Sequence, residues 1–242
     1  MTSEPIVSKH ARDFYAKTLK ILSTSEIPFL VGGTWALGEY ANISRPTKDL
    51  DLFCKHSDYP RLVQFLEKHG FKTELTDDRW IVKAIKGKDF IDFIFNSPSG
   101  ICPVDDTWIK NSPTTIMLGS EVRLVPVEEM IWSKIFSQER THFDGADVNH
   151  MILKMGEEMD WRRLVLRMEA HWEILLSALI NFRFVYPSNK ECIPHWVMEE
   201  LVKRLNEQLS LPSSHDKVCR GPLLARLQYL VDIKDWGFQV IT

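Results

Sequence analysis

The sequence predicts an α+β fold in two parts: a mixed β-sheet with flanking helices over residues 1–125, then an α-helical part over residues 126–242. Three observations carry this expectation. Short apolar or alternating runs ("IPFLVGG", "KDLDLFC", "RWIVKAIK", "DFIDFIFN") crowd the first half and are interleaved with helix-spaced segments. After Val125 the runs give way to nearly continuous helical spacing. Hydrophobic residues make up 44% of the 242, enough for a core in one large or two small domains.

Taken in order, "SKHARDFYAKTLKILST" (8–24) has apolar residues at helical spacing. "IPFLVGG" is a buried strand stopped by glycines. "TWALGEYA" is a short helix with Thr34 as N-cap, and "KDLDLFC" a second strand. "SDYPRLVQFLEKHG" is a helix closed by Gly70. "FKTELT" and "RWIVKAIK" form a hairpin across the polar "DD", and "DFIDFIFN" is the next strand. "TTIMLGSEVRLV" is a second hairpin with Gly119-Ser120 in the turn. "PVEEMIWSKIFSQE" opens the helical part, with Pro126 early and two glutamates in the first turn. "DVNHMILKMG", "DWRRLVLRMEAHWEILLSALINF" and "PHWVMEELVKRLNEQL" continue it. The tail begins irregular and holds one short helix.

The net charge of −3 advertises no global field for nucleic acid. No apolar run reaches a membrane span, and the first residues lack a signal-peptide layout. The four cysteines are far apart, as expected for reduced thiols in a cytoplasmic protein.

The chemistry concentrates in residues 32–53. On a strand, side chains two apart share a face, so Asp49 and Asp51 point together while Leu50 and Leu52 point into a core. Two adjacent carboxylates repel unless a cation lies between them, and magnesium takes such oxygen ligands. The plain alternative is a solvated polar face. Asp92 sits on a strand apolar on both faces, where an unpaired carboxylate is costly. Either it joins Asp49 and Asp51 around a cation, or a lysine or arginine pairs with it. Gly32-Gly33 before a helix start would let backbone N–H groups approach a phosphate, or form an ordinary strand-to-helix turn. Neither the dinucleotide nor the P-loop fingerprint is present.

Read together, "VGGTWAL", "SRPTKDLDLF" and "IDFIF" resemble the nucleotidyltransferase superfamily, the fold of DNA polymerase beta. The branch they resemble most holds the aminoglycoside nucleotidyltransferases and the nucleotidyltransferase toxins and abortive-infection proteins. The resemblance spans about residues 27–96 strongly and extends weakly to about 155. It implies a nucleotidyltransferase-type sheet and transfer of a nucleoside monophosphate from an NTP such as ATP to a hydroxyl, releasing pyrophosphate. Asp49 and Asp51 would hold two magnesium ions, with manganese as a substitute. Asp92 would be a third ligand or the base for the attacking hydroxyl. Gly32, Gly33 and Thr34 would hold the triphosphate, with Arg45 and Lys48 as cations for the phosphates.

Lys134 would reach a phosphate or snorkel to water. Asp144 and Asp147 would cap a helix, or Asp147 would support the site. His142, Asp144, Asp147 and His150 scatter around a helix and form no metal site of their own. Trp161, Trp172 and Trp196 read as packing residues. The acceptor stays open among RNA (a tRNA end included), protein and small molecule. The toxin branch implies an antitoxin or other protein partner. The rival class is an NTP-binding regulator without turnover, and a third is a scaffold whose acids form an ion-pair network.

Overall fold

A computed structural model describes residues 4–240. The chain divides into two compact units, one up to Pro126 and one from Val127.

In the first unit α1 (Lys9–Leu22) starts at Ser8, whose hydroxyl accepts from the Ala11 N–H, and buries Tyr15, Thr18, Leu19 and Leu22. β1 (Leu30–Val31) leads into α2 (Gly33–Ala41), and Asn42 ends that helix in the left-handed region, φ +54°. β2 (Asp51–Phe53) is followed by α3 (Tyr59–Lys68), which buries Leu62 and Leu66 and closes through Gly70 at φ +79°. β3 (Lys72–Asp77), β4 (Ile81–Lys86) and β5 (Asp89–Ile94) come next. The sheet order is β1-β2-β5-β4-β3. β2 runs parallel to β5, and the other neighbours are antiparallel. The mixed sheet therefore places β2 and β5 side by side at its centre, although 35 residues or more of chain separate their sequences. Leu30, Leu50, Leu52, Ile91, Phe93 and Trp35 fill the core around them. α4 (Asp106–Asn111) and the hairpin β6 (Thr114–Met117) and β7 (Ser120–Arg123) complete the unit.

Several local expectations change. α2 begins at Gly33 with Gly32 at the N-cap position, so Thr34 lies inside the first turn and is not the cap. β2 begins only at Asp51, because the Asp51 carbonyl accepts from the Gly32 N–H and Asp49 lies before the ladder. The second hairpin turns at Leu118-Gly119, both with positive φ (50° and 79°), and Ser120 pairs with Met117.

The second unit holds α5 (Val127–Ile135), a two-stranded ribbon of β8 (Gln138–Glu139) and β9 (His142–Phe143), α6 (Gly145–Met155), α7 (Trp161–Arg167), α8 (Trp172–Val185) and α9 (His195–Leu209). β10 (Val218–Cys219), α10 (Pro222–Ala225), α11 (Leu230–Lys234) and β11 (Gln239–Val240) end it. The single helix expected from residue 160 to 182 is broken by a 3₁₀ turn at Glu169–His171. The apolar spacing runs straight through that break (Trp161, Val165, Met168, Trp172, Leu175, Leu179), so periodicity cannot mark it. The tail carries two short helices and a parallel two-residue ladder rather than one helix. Trp161 is buried as expected, but Trp196 is 40% exposed and has Arg162 over its ring at 5.6 Å. Among the described residues no helix is long and apolar enough to cross a membrane.

Candidate functional site

The parallel pairing of β2 with β5 sets Asp51 directly opposite Asp92. Asp49, two residues before Asp51, turns the same way, and carboxylate oxygens of Asp49, Asp51 and Asp92 all lie within 4.8 Å of one another. Among the described residues this is the one group of three or more His, Cys, Asp or Glu side chains arranged to hold a metal ion. Asp92 is buried; Asp49 and Asp51 are half-buried.

The surroundings fix these acids by their backbones. The Tyr15 hydroxyl donates to the Lys48 carbonyl at 3.1 Å, and the Trp35 indole N–H donates to the Asp49 carbonyl at 3.1 Å. The two rings meet edge to face at 5.9 Å. The Thr47 hydroxyl donates to Asp49 Oδ1 at 2.8 Å. Burial pushes the Tyr15 phenol up to about 12, and Asp49, Asp89, Asp51 and Asp92 add to the shift. It therefore stays a protonated donor at any physiological pH.

The glycine pair has two jobs. A Cβ on Gly32 would meet the Phe53 ring at 2.3 Å, so glycine there permits core packing. Gly33 has φ +55°, and a Cβ on it would meet Asp51 Oδ2 at 1.8 Å. Only a glycine lets the start of α2 come this close to the Asp51 carboxylate. The positive end of α2 thus borders the acidic trio.

Asp92 also has the ion-pair partner that a buried carboxylate requires. Lys83 Nζ lies 2.8 Å from its Oδ1 and 3.2 Å from its Oδ2. Burial pushes the Asp92 carboxyl above the usual range, Lys83 opposes that, and Asp49 adds to it. The acids converge, and the lysine pairing that the sequence offered as the alternative is present at Asp92.

The donor set fits a hard divalent cation. Oxygens of three carboxylates converge within 4.8 Å, the ligand type that oxygen-seeking ions take.

Of the remaining predicted residues, Thr34, Arg45 and Lys48 lie on the segments that flank the acids, and Lys134 and Asp147 lie in the second unit. Thr34 is half-buried in the first turn of α2. Arg45 is half-buried and Lys48 exposed, on the loop leading to Asp49; the Arg45 carbonyl accepts from the Ile6 N–H. Lys134 belongs to the second unit, where it pairs with Asp144 at 2.9 Å and Asp147 at 2.8 Å. Those carboxylates hold the Lys134 ammonium above its usual range against the opposing effect of burial. Its ammonium neither snorkels nor stands exposed. His142 lies 3.4 Å from Asp144, and no metal-type cluster of His142, Asp144, Asp147 and His150 forms among the described residues.

Sequence reasoning missed Tyr15, Trp35, Thr47 and Lys83. Thr47 and Trp35 stand inside the quoted motifs but carried no distinct signal. Lys83 had one: a charged residue set between apolar Val82 and Ala84 on a strand next to that of Asp92.

Residues 16–95 match the family model of the aminoglycoside-2''-adenylyltransferases. Among solved structures, an antigenic nucleotidyltransferase-like protein from Paracoccidioides brasiliensis has a TM-score of 0.50 and 16% identity, covering 78% of this chain and 94% of that one. The antibiotic-resistance factor ANT(2'')-Ia has a TM-score of 0.47 and 17% identity, covering 74% of this chain and 99% of that one. The lincomycin-bound lincosamide adenylyltransferase LnuA has a TM-score of 0.41 and 14% identity, covering 60% of this chain and 96% of that one. No curated protein sequence matches the chain. The fold is α+β and of nucleotidyltransferase type, and the resemblance read from residues 27–96 falls within the stretch the family model marks, save its last residue.

Proposed function

We propose that the chain is a nucleotidyltransferase that moves a nucleoside monophosphate from an NTP to a hydroxyl acceptor, releases pyrophosphate and depends on magnesium. The observation that carries this reading is the convergence of Asp49, Asp51 and Asp92 beside the start of α2. Asp49 and Asp51 would hold the ion or ions, with Asp92 as a further ligand or as the base that accepts the hydroxyl proton. A divalent ion bound there would supply charge neutralisation for the triphosphate and for both oxygens of an in-line displacement. The chain's own part is positioning. The first N–H groups of α2, at Gly33 and Thr34, suit phosphate oxygens. Arg45 and Lys48 supply cations on the loop entering the site. Lys134 and Asp147 pair with each other in the helical unit, and no step is assigned to them.

Among the acceptor classes, a small-molecule hydroxyl is favoured over RNA and protein, and ATP is the favoured donor. Both preferences rest on the family model that matches residues 16–95, which is named for adenylyl transfer to aminoglycosides.

The test uses α-labelled ATP, GTP, CTP and UTP with magnesium, a panel of aminoglycosides and a cell extract. The wild type is compared with the Asp49→Ala, Asp51→Ala double variant. Label in one acceptor fraction only with intact carboxylates supports the reading. A second reading, NTP binding without turnover, has one observation in its favour: Lys83 already engages both oxygens of Asp92. Magnesium-dependent NTP binding with no label in any fraction would establish it instead.

A further inference from the structure

Lys83 has no role in the reaction just proposed, yet it occupies a defined place in its site. It is the register partner of Asp92 on β4, as Asp51 is the register partner of Asp92 on β2. Register partners project from the same face of a sheet, so Asp51, Asp92 and Lys83 form one row across three strands. Asp92 stands in the middle, with a carboxylate on one side and an ammonium on the other. The ammonium reaches both Asp92 oxygens and lies 4.0 Å from the Phe90 ring centroid. These contacts hold it from two directions. The Lys83 side chain is 28% exposed and that of Asp92 8%, so the pair is largely withdrawn from water and weakly screened.

We propose that Lys83 stands in for a cation at Asp92 and competes with a divalent ion for the Asp92 oxygens. This inference rests on reading the trio as a cation site. Its consequence is a divided cluster. Asp49 and Asp51 accept an ion without contest from the lysine. An ion that touches Asp92 shares that carboxylate with a fixed positive charge.

The sign of one measurement separates this role from that of a plain structural brace. If Lys83 only braced Asp92, removing it would loosen the carboxylate and weaken cation binding. If its ammonium competes, removing it tightens cation binding. A dication and an ammonium sharing one carboxylate repel strongly even at an effective dielectric of about 20, so a gain of about fivefold or more is expected.

The experiment titrates the full chain with Mn²⁺ alone, without nucleotide, by electron paramagnetic resonance and calorimetry. The proteins are the wild type, Lys83→Met, Lys83→Arg and Asp51→Asn. Lys83→Met should bind Mn²⁺ about fivefold tighter or more, and Lys83→Arg, which keeps the charge, should show no such gain. Equal or weaker binding by Lys83→Met, with binding lost in Asp51→Asn, overturns the role of Lys83 and leaves the cation site standing. No Mn²⁺ binding by the wild type, or binding indifferent to Asp51→Asn, overturns both. Circular dichroism checks the fold of each variant. Should Lys83→Met fail to fold, Lys83→Gln removes the same charge with a polar side chain and is read by the same criteria.

Discussion

Both units bury carboxylates, and they treat them in opposite ways. In the helical unit Glu128 and Glu129 on α5 meet Arg163 and Arg167 on α7, two charges against two. Asp144 and Asp147 close on Lys134, and they lie at the start of α6, where the helix dipole favours negative charge. In the sheet unit Asp49, Asp51 and Asp92 bring three carboxylates together, and the Lys83 ammonium engages Asp92. Carboxylates closed off by ion pairs on every side chain are a structural device. Carboxylates gathered on a face that is only half-buried are an opening for a ligand. The comparison also separates the two lysines. Lys134 completes a closed set, whereas Lys83 takes one member out of an open one.

That contrast breaks most visibly in the sheet unit. Replacing Asp49 and Asp51 together by alanine should lower nucleotidyl transfer by roughly 1,000-fold or more, as loss of the charge-neutralising centre does in phosphoryl chemistry. Thermal unfolding should move little or upward, because like charges are removed from one face. Transfer assays with labelled ATP and a melting curve on the same samples check both halves. In the helical unit the outcome should invert. Glu129→Ala would leave the half-buried Arg163 and Arg167 with one carboxylate fewer, and stability should fall by about 2 kcal/mol. Urea unfolding measures it, and an unchanged midpoint would show that the buried glutamate is not held by those arginines.

An intermediate effect is expected at the glycine that joins fold and site. Gly33→Ala places a methyl group at a φ of +55° and against the Asp51 carboxylate. The backbone term alone should cost about 1 kcal/mol. The displaced Asp51 should weaken Mn²⁺ binding as well, which calorimetry reads separately from the melting temperature.

How much of this was legible follows from the kind of signal each residue carries. Asp49, Asp51 and Asp92 could be assembled from strand alternation, since a carboxylate in an apolar strand demands a partner. That β2 and β5 are neighbours could come only from the resemblance, because periodicity does not state strand order. Lys83 was foreseen as a class, a lysine or arginine paired with Asp92, and not as a residue. Its selection depends on the β4–β5 register. Tyr15 and Trp35 hold the site by hydrogen bonds to backbone carbonyls, an interaction with no side-chain pattern to read. In the helical unit the break at Glu169–His171 preserves the apolar stripe on both sides and so erases its own trace.

The smallest expected effect lies at that break. Burial pushes the His171 imidazole below its usual range; Arg220 works in the same direction and Glu173 against it. The Phe136 ring packs against it at 5.3 Å in a T-shaped arrangement. The folded chain therefore binds a proton at His171 less readily than the unfolded chain does. The stability this contributes is present above the unfolded-state value near 6.5 and is lost as pH falls through the lowered folded value. Acidification from pH 7 toward 5 should destabilise the wild type, and His171→Gln should make that decline shallower without abolishing it. Melting temperatures of the two proteins at four pH values across that interval decide the point. Parallel curves would mean that His171 titrates alike in both states.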